Sequence, residues 1–221
     1  MKTKNHDTLL NILTAVLFAI PFVNGILRYH ALPDTMVTHV NAQNLADGFA
    51  NKNFALFGIP LFMIAIYLFA RFVTRLDPKR KNQSPRMRRL LFLFLPVLGL
   101  ALHFIMIARN LNESVDVGYY LMIGFSLMMI LLGNFFPKTK QNYTMGIRLP
   151  WTLASEDNWN KTHRLAGYLW VAGGIVMLLL TLLGKQGSML SVGVITVVVL
   201  IPIAYSALLY YKGNRGTPPE E

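Results

Sequence analysis

Six stretches of this chain stay apolar for about 20 residues each: 9–27, 54–73, 90–108, 117–136, 166–184 and 188–211. A hydrocarbon core about 30 Å thick is crossed by roughly 20 such residues when they are helical. Barrel strands are about 10 residues long and alternate in polarity, which none of the six blocks does. Because lipid offers no hydrogen bonds to a bare backbone, helices remain as the only spanning form. The expected fold class is therefore all-α, a polytopic membrane protein with six transmembrane helices. Composition agrees: 54% of residues are hydrophobic and 14% charged, against about 25% charged in a soluble domain. A soluble enzyme, a coiled coil and a disordered chain are excluded. The absence of cysteine removes disulfide scaffolds, thiolate metal sites and cysteine nucleophiles.

Lys2 and Lys4 precede the first block as they would in a secretory leader. The apolar stretch is longer than a leader's, and no small-x-small site follows it, so an uncleaved first helix is expected. Orientation follows from the basic residues of the connections. Of the 21 lysines and arginines, 17 fall on the side holding both termini and the second and fourth connections. Arg28, Lys52, Arg109 and Lys185 fall on the other. Six of the ten acids share the first side, which nets +11 and leaves the second at zero. Both termini are expected in the cytoplasm. The division reads as an N-terminal half, 1–113, with an outer loop at 28–53 and a basic inner loop at 74–89, then a second half, 114–221, with an inner loop at 137–165. In a soluble protein this basicity would suggest nucleic acid. Here it lies on one membrane face, where anionic lipid headgroups attract it, so membrane lipids are expected partners and nucleic acid is not.

Ionisable groups at membrane depth are functional candidates, and His103 is the one well inside a block. A neutral imidazole bonded to a neighbouring helix is the plain expectation. No carboxylate lies within any block, which weighs against proton-coupled pumps and cation transporters. Pro21, Pro60, Pro96 and Pro202 interrupt helices and free carbonyls.

Two connections are longer than six packed helices need. In the outer one, Leu32-Pro33-Asp34 reads as a turn, residues 36–40 as an extended piece and Asp47-Gly48 as a second turn, which together predict a small hairpin. His30, Asp34, His39 and Asp47 match no zinc spacing. A folded binding loop is expected, without metal or cofactor. In the inner one, Ser155 is a good N-cap, and Glu156 and Asp157 suit the first turn of a helix. That helix places Trp159, His163 and Ala166 or Gly167 on one face. Trp151 and Trp159 are expected at headgroup level, Gly146 permits a backbone geometry that other residues resist, and Arg148 is expected on a carboxylate such as Glu156 or Asp157, or on lipid phosphate. Ser155 and His163 lack an orienting acid, so no catalytic residue is assigned.

The inner residues form a pattern: Asn142-x-x-x-Gly146-Ile-Arg148-x-Pro150-Trp151-Thr152-Leu-x-Ser155-Glu156, then Trp159, His163 and Gly167. It resembles the signature of the SdpI family, with a departure at Leu149, where threonine is common. The outer loop, with Pro33, Thr38-His39-x-Asn41, Asp47-Gly48 and Lys52, is similar to the domain of unknown function that often precedes that signature. The resemblance implies a bacterial cell membrane protein, without enzymatic activity, that protects its cell from a secreted peptide toxin. In some family settings a soluble transcriptional repressor is captured at the inner face, which would make that repressor a partner and the protein a signal transducer. Two further readings stand beside immunity: a transporter or channel-like protein for a peptide, lipid or small solute, and an interfacial enzyme using His30, Asp34 and His39 or Arg148 and His163.

Overall fold

The computed structural model describes residues 2–112 and 114–214. It is 77% helical, and six helices are long and apolar enough to cross a membrane. The elements run α1 (Lys2–Arg28), β1 (Thr35–Val40), β2 (Ala46–Asn51), α2 (Ile59–Leu76), α3 (Pro85–Leu111), α4 (Val117–Phe135), α5 (Pro150–Ala154), α6 (Glu156–Leu182) and α7 (Met189–Asn214). Each apolar block coincides with a spanning segment to within two residues at the ends where it overruns, and α3 and α6 begin well before theirs. Pro85 opens α3, where its missing N–H costs no helical bond. Ser155 opens α6, its hydroxyl accepting from the Asn158 N–H at 3.2 Å.

The backbone falls into two compact units, Met1–Val73 with Arg88–Tyr120, and Thr74–Met87 with Leu121–Glu221. In the first, Phe18, Tyr67 and Phe92 pack together from α1, α2 and α3, with Phe18 and Tyr67 edge to face at 5.2 Å. A π-helical turn at Phe54–Gly58 precedes α2 and buries Ala55 and Leu56 completely. These two pack with Leu32, Met36 and Ile107, so the start of the hairpin is rooted in the unit's apolar core.

The hairpin predicted for the outer loop is present, as β1 paired antiparallel with β2. Its turn lies elsewhere than expected. Asp47-Gly48 sits inside β2, with Gly48 opposite His39 at a break in the register. A Cβ at Gly48 would stand 2.7 Å from the His39 Cβ, so glycine is needed there for close approach rather than for a turn. The chain reverses at Asn41–Leu45 instead. The Asn41 carboxamide accepts from the Gln43 and Leu45 N–H groups, both at 3.0 Å. Asn44 takes the left-handed conformation with φ 58°, which asparagine tolerates better than most residues.

In the second unit, α4 and α6 touch backbone to backbone. A Cβ on Gly133 would lie 2.9 Å from the Gly167 carbonyl, and one on Gly174 2.9 Å from the Ser126 carbonyl. Such small-residue contacts are how helices associate where lipid removes the hydrophobic driving force. Helices α6 and α7 are joined by polar groups. Pro202 leaves the Val198 carbonyl without its helical partner, and the Trp170 indole donates to that oxygen at 3.2 Å. Lower on the same pair, Asn158 donates to the Ser206 carbonyl at 2.9 Å and accepts from the Ser206 and Thr162 hydroxyls.

Candidate functional site

The site is assembled by the segment between α4 and α6, folded over the first turns of α6. Asn142 begins it, fully buried. Its carboxamide oxygen accepts from the Thr144 and Met145 N–H groups at 2.9 and 2.7 Å, and its nitrogen donates to the Lys140 carbonyl at 2.8 Å. One side chain thus closes a tight turn that the backbone alone leaves unbonded. Gly146 follows with φ 108°, a conformation that L side chains rarely adopt. A Cβ there would collide with the His163 Nε2 and lie 3.1 Å from the Trp159 ring.

That near contact lets the loop meet the α6 face predicted from spacing. The Ile147 N–H donates to His163 Nε2 at 2.9 Å, and the other ring nitrogen, Nδ1, lies 2.8 Å from the Trp159 carbonyl. Since Nε2 must accept, Nδ1 carries the proton and the ring is a neutral imidazole. Trp159 stacks on it with centroids 4.0 Å apart and donates its indole N–H to the Thr139 carbonyl at 2.7 Å. Both rings are essentially inaccessible, Trp159 at 0% and His163 at 1% exposure. Trp159 therefore faces the loop rather than the surroundings of the protein. Its amphipathic character serves the loop, with an apolar body under Gly146 and a polar tip on a loop carbonyl.

Pro150 starts α5 at the position that spares a hydrogen bond. Thr152, wholly buried, accepts from the Leu149 N–H at 2.8 Å, with the Ile147 and Leu149 carbonyls 2.9 Å from its hydroxyl. Gln141 reaches across to donate to the Thr152 and Leu153 carbonyls, both at 2.9 Å. Trp151 lies against Tyr210 of α7, centroids 6.3 Å apart. Gly167 lets Pro137 pack on α6: a Cβ there would come within 2.6 Å of the proline ring. Arg148 departs from expectation. Its guanidinium donates to the Tyr143 carbonyl at 2.8 Å rather than to a carboxylate, while Asp157 pairs with Lys161 and Glu156 is exposed.

The basic connection supplies the other half of the arrangement. Asp77, 6% exposed, accepts at 2.8 Å from the Thr144 hydroxyl, 3.0 Å from the Gln83 amide, 2.8 Å from the Lys79 N–H and 3.1 Å from the Tyr143 N–H. Burial by itself would raise this carboxyl's pKa. The bonds from Thr144, Gln83, Lys79 and Tyr143 outweigh burial and hold it below the usual carboxylate value. The Lys79 ammonium meets the Gln141 side chain, and Asn82 donates to the Gln141 carbonyl at 2.8 Å. Sequence reading missed Asp77, Gln83 and Gln141. The signal available was a lone acid inside a run of lysines and arginines.

Both nitrogens of His163 are engaged, and Ser155 is occupied as a cap, so the pair does not form a nucleophile and base. The arrangement is a densely bonded clasp in which only Gln83 Oε1 and the Trp151 indole nitrogen are buried without a partner among the described residues.

The outer hairpin, in the other unit, is tied down by residues that sequence reading also missed. Asn110 near the end of α3 accepts from the Val37 N–H at 2.8 Å and donates to the Val37 carbonyl at 2.9 Å. Asn44 donates to the Val115 carbonyl at 3.0 Å and accepts from the Val117 N–H at 3.2 Å. Lys52 reaches the exposed Asp34 at 2.9 Å and lies over the Tyr29 ring. His39 and Asp47 pair at 2.5 Å on the exposed surface. Pro33 is exposed and Asn41 half-buried at the turn. Among the described residues no three histidines or acids converge to hold a metal.

Six apolar helices, with a clasp in one long connection and a hairpin in another, define a multi-pass helical membrane protein. Residues 138–206 match the model of the SdpI/YfhL protein family, and residues 16–64 match a domain of unknown function, DUF1648. The two matched segments contain the motifs that resembled these families. It is 24% identical over 210 residues to Immunity protein SdpI of Bacillus subtilis (strain 168), covering 94% of this chain and 98% of that protein. No solved structure matches it. These matches and the six spanning helices make it a multi-pass protein of the bacterial cell membrane.

Proposed function

We propose that this protein protects its cell from a secreted peptide toxin, engaging the toxin at the hairpin between α1 and α2. The observation that carries this reading is end-to-end similarity to an immunity protein, spanning 98% of that protein's length. The charge distribution supports the assignment of faces. The connection bearing the hairpin has little net charge, as a side open to an arriving peptide would, while the clasp lies among the basic residues that the positive-inside rule assigns to the cytoplasm. The hairpin is built as a recognition loop: its backbone is held by Asn110, Asn44 and Lys52, and its large side chains Leu45 and Phe49 are exposed. Rigid loops lose little entropy on binding.

The clasp on the other face gives the basic connection a fixed shape, a surface suited to capturing a soluble transcriptional repressor. In this reading protection works by binding. The test is survival of sensitive cells expressing the protein and challenged with secreted peptide toxins. Asn110→Ala should lower survival at wild-type membrane abundance. Survival unchanged by loosening the hairpin would overturn the hairpin as the engagement site.

A further inference from the structure

One edge of the hairpin is closed and the other is open. In an antiparallel pair, residues alternate between those bonded to the partner strand and those whose N–H and C=O point outward. Two observations fix the phase here. The Lys52 N–H donates to the Asp34 carbonyl at 2.9 Å, so that pair is bonded across the hairpin. Counting along the register, Thr35 with Asn51 points outward, Met36 with Ala50 inward and Val37 with Phe49 outward. Independently, both polar groups of the Val37 backbone are taken by Asn110, which is possible only if they face away from β2. The outer edge of β1 is therefore capped by α3.

The same phase turns the Phe49 N–H and C=O to the outer edge of β2. No described residue bonds to them, and Phe49 is 60% exposed. Folded proteins normally blunt such edges, because an open one templates another strand. Here β1 is blunted by a dedicated asparagine and β2 is not. On the strand's exposed face stand Phe49, Asp47 and Asn51, with the exposed Leu45 where β2 begins. On its other face Ala50 and Gly48 are partly covered.

We infer that β2 is a docking edge for an extended, apolar peptide segment, which adds as a third strand by pairing with the Phe49 backbone and laying an apolar side chain against the Phe49 ring. Main-chain bonds supply affinity and alternate side chains supply selectivity in this mode. This deepens the reading of the hairpin as the toxin site and rests on it for the identity of the natural peptide, though not for the existence of the edge.

The experiment uses the full chain in nanodiscs and follows amide exchange at Phe49, with a synthetic decapeptide of alternating valine and threonine as probe. The probe should slow Phe49 exchange by about tenfold, and its counterpart N-methylated at every peptide bond should not. A probe that leaves Phe49 exchange unchanged, or a methylated peptide that slows it equally, would overturn the edge. Protection present before any peptide is added would also overturn it, since a second copy or the membrane surface would then cover β2.

A parallel arm measures toxin survival with Phe49→Pro, which removes the outward N–H together with the ring and is tolerated on strand edges. Phe49→Ala controls for the ring. Slowed exchange together with unchanged survival in Phe49→Pro would keep the edge and remove the toxin as its occupant. Lost survival without slowed exchange would keep the hairpin as toxin site and remove strand addition.

Discussion

At the scale of single residues, the inner loop is a set of side chains standing in for missing secondary structure. Asn142, Thr152, Trp159 and His163 each bond backbone groups that no helix or sheet serves. Replacing one leaves a buried carbonyl or N–H unpaired, which costs about 1–3 kcal/mol. Trp159→Phe should therefore lower stability in detergent by at least about that amount, since it unpairs the Thr139 carbonyl and also shrinks the ring stacked on His163, and the unfolding midpoint reads it. His163→Phe should do the same through the Ile147 N–H. Asp77 adds a pH dependence. Its folded pKa lies below the ordinary aspartate value, so its stabilising contribution is complete above that ordinary value and is lost as pH falls through the lowered folded one. The unfolding midpoint of wild type should drop more steeply in acid than that of Asp77→Asn. At neutral pH Asp77→Asn should be the less stable, because an amide N–H would face the donors from Gln83, Tyr143 and Thr144.

At the scale of elements, the spans were legible because lipid imposes length and polarity on any helix that crosses it, whatever its neighbours. The start of α6 at Glu156 was legible too, since a cap and first-turn acids are local signals. The hairpin's existence could be read, but its turn could not. Asp47-Gly48 is a strong turn signal by itself, and it lost to Asn41, whose carboxamide bonds the Gln43 and Leu45 N–H groups within the turn, and to Asn44, whose carboxamide gains partners only once Val115 and the start of α4 are in place. Arg148 shows the same limit: its partner is a carbonyl exposed by the loop's own folding, which no spacing rule encodes. Gly167 belongs to this scale because it governs how α4 and α6 meet. Gly167→Ala would drive a methyl group into Pro137 and the Gly133 carbonyl, an overpacking cost of about 1–3 kcal/mol. Membrane-inserted protein should fall accordingly, whereas Gly193→Ala, with open space around it, should leave yield unchanged.

At the scale of the whole molecule, the two distinctive sites belong to separate compact units, each braced by its own side chains. The proposed division of labour gives the neutral connection to an arriving peptide and the basic face to an inner partner. The measurement that tests this most directly is survival of toxin-sensitive bacteria expressing the protein, challenged with purified secreted peptide toxins, with abundance matched between variants. Wild type should protect against at least one toxin, and Phe49→Pro and Asn110→Ala should each lose most of that protection while remaining in the membrane at wild-type level. Full protection by both hairpin variants, or none from abundant wild type against the toxins of close neighbours, would contradict the account.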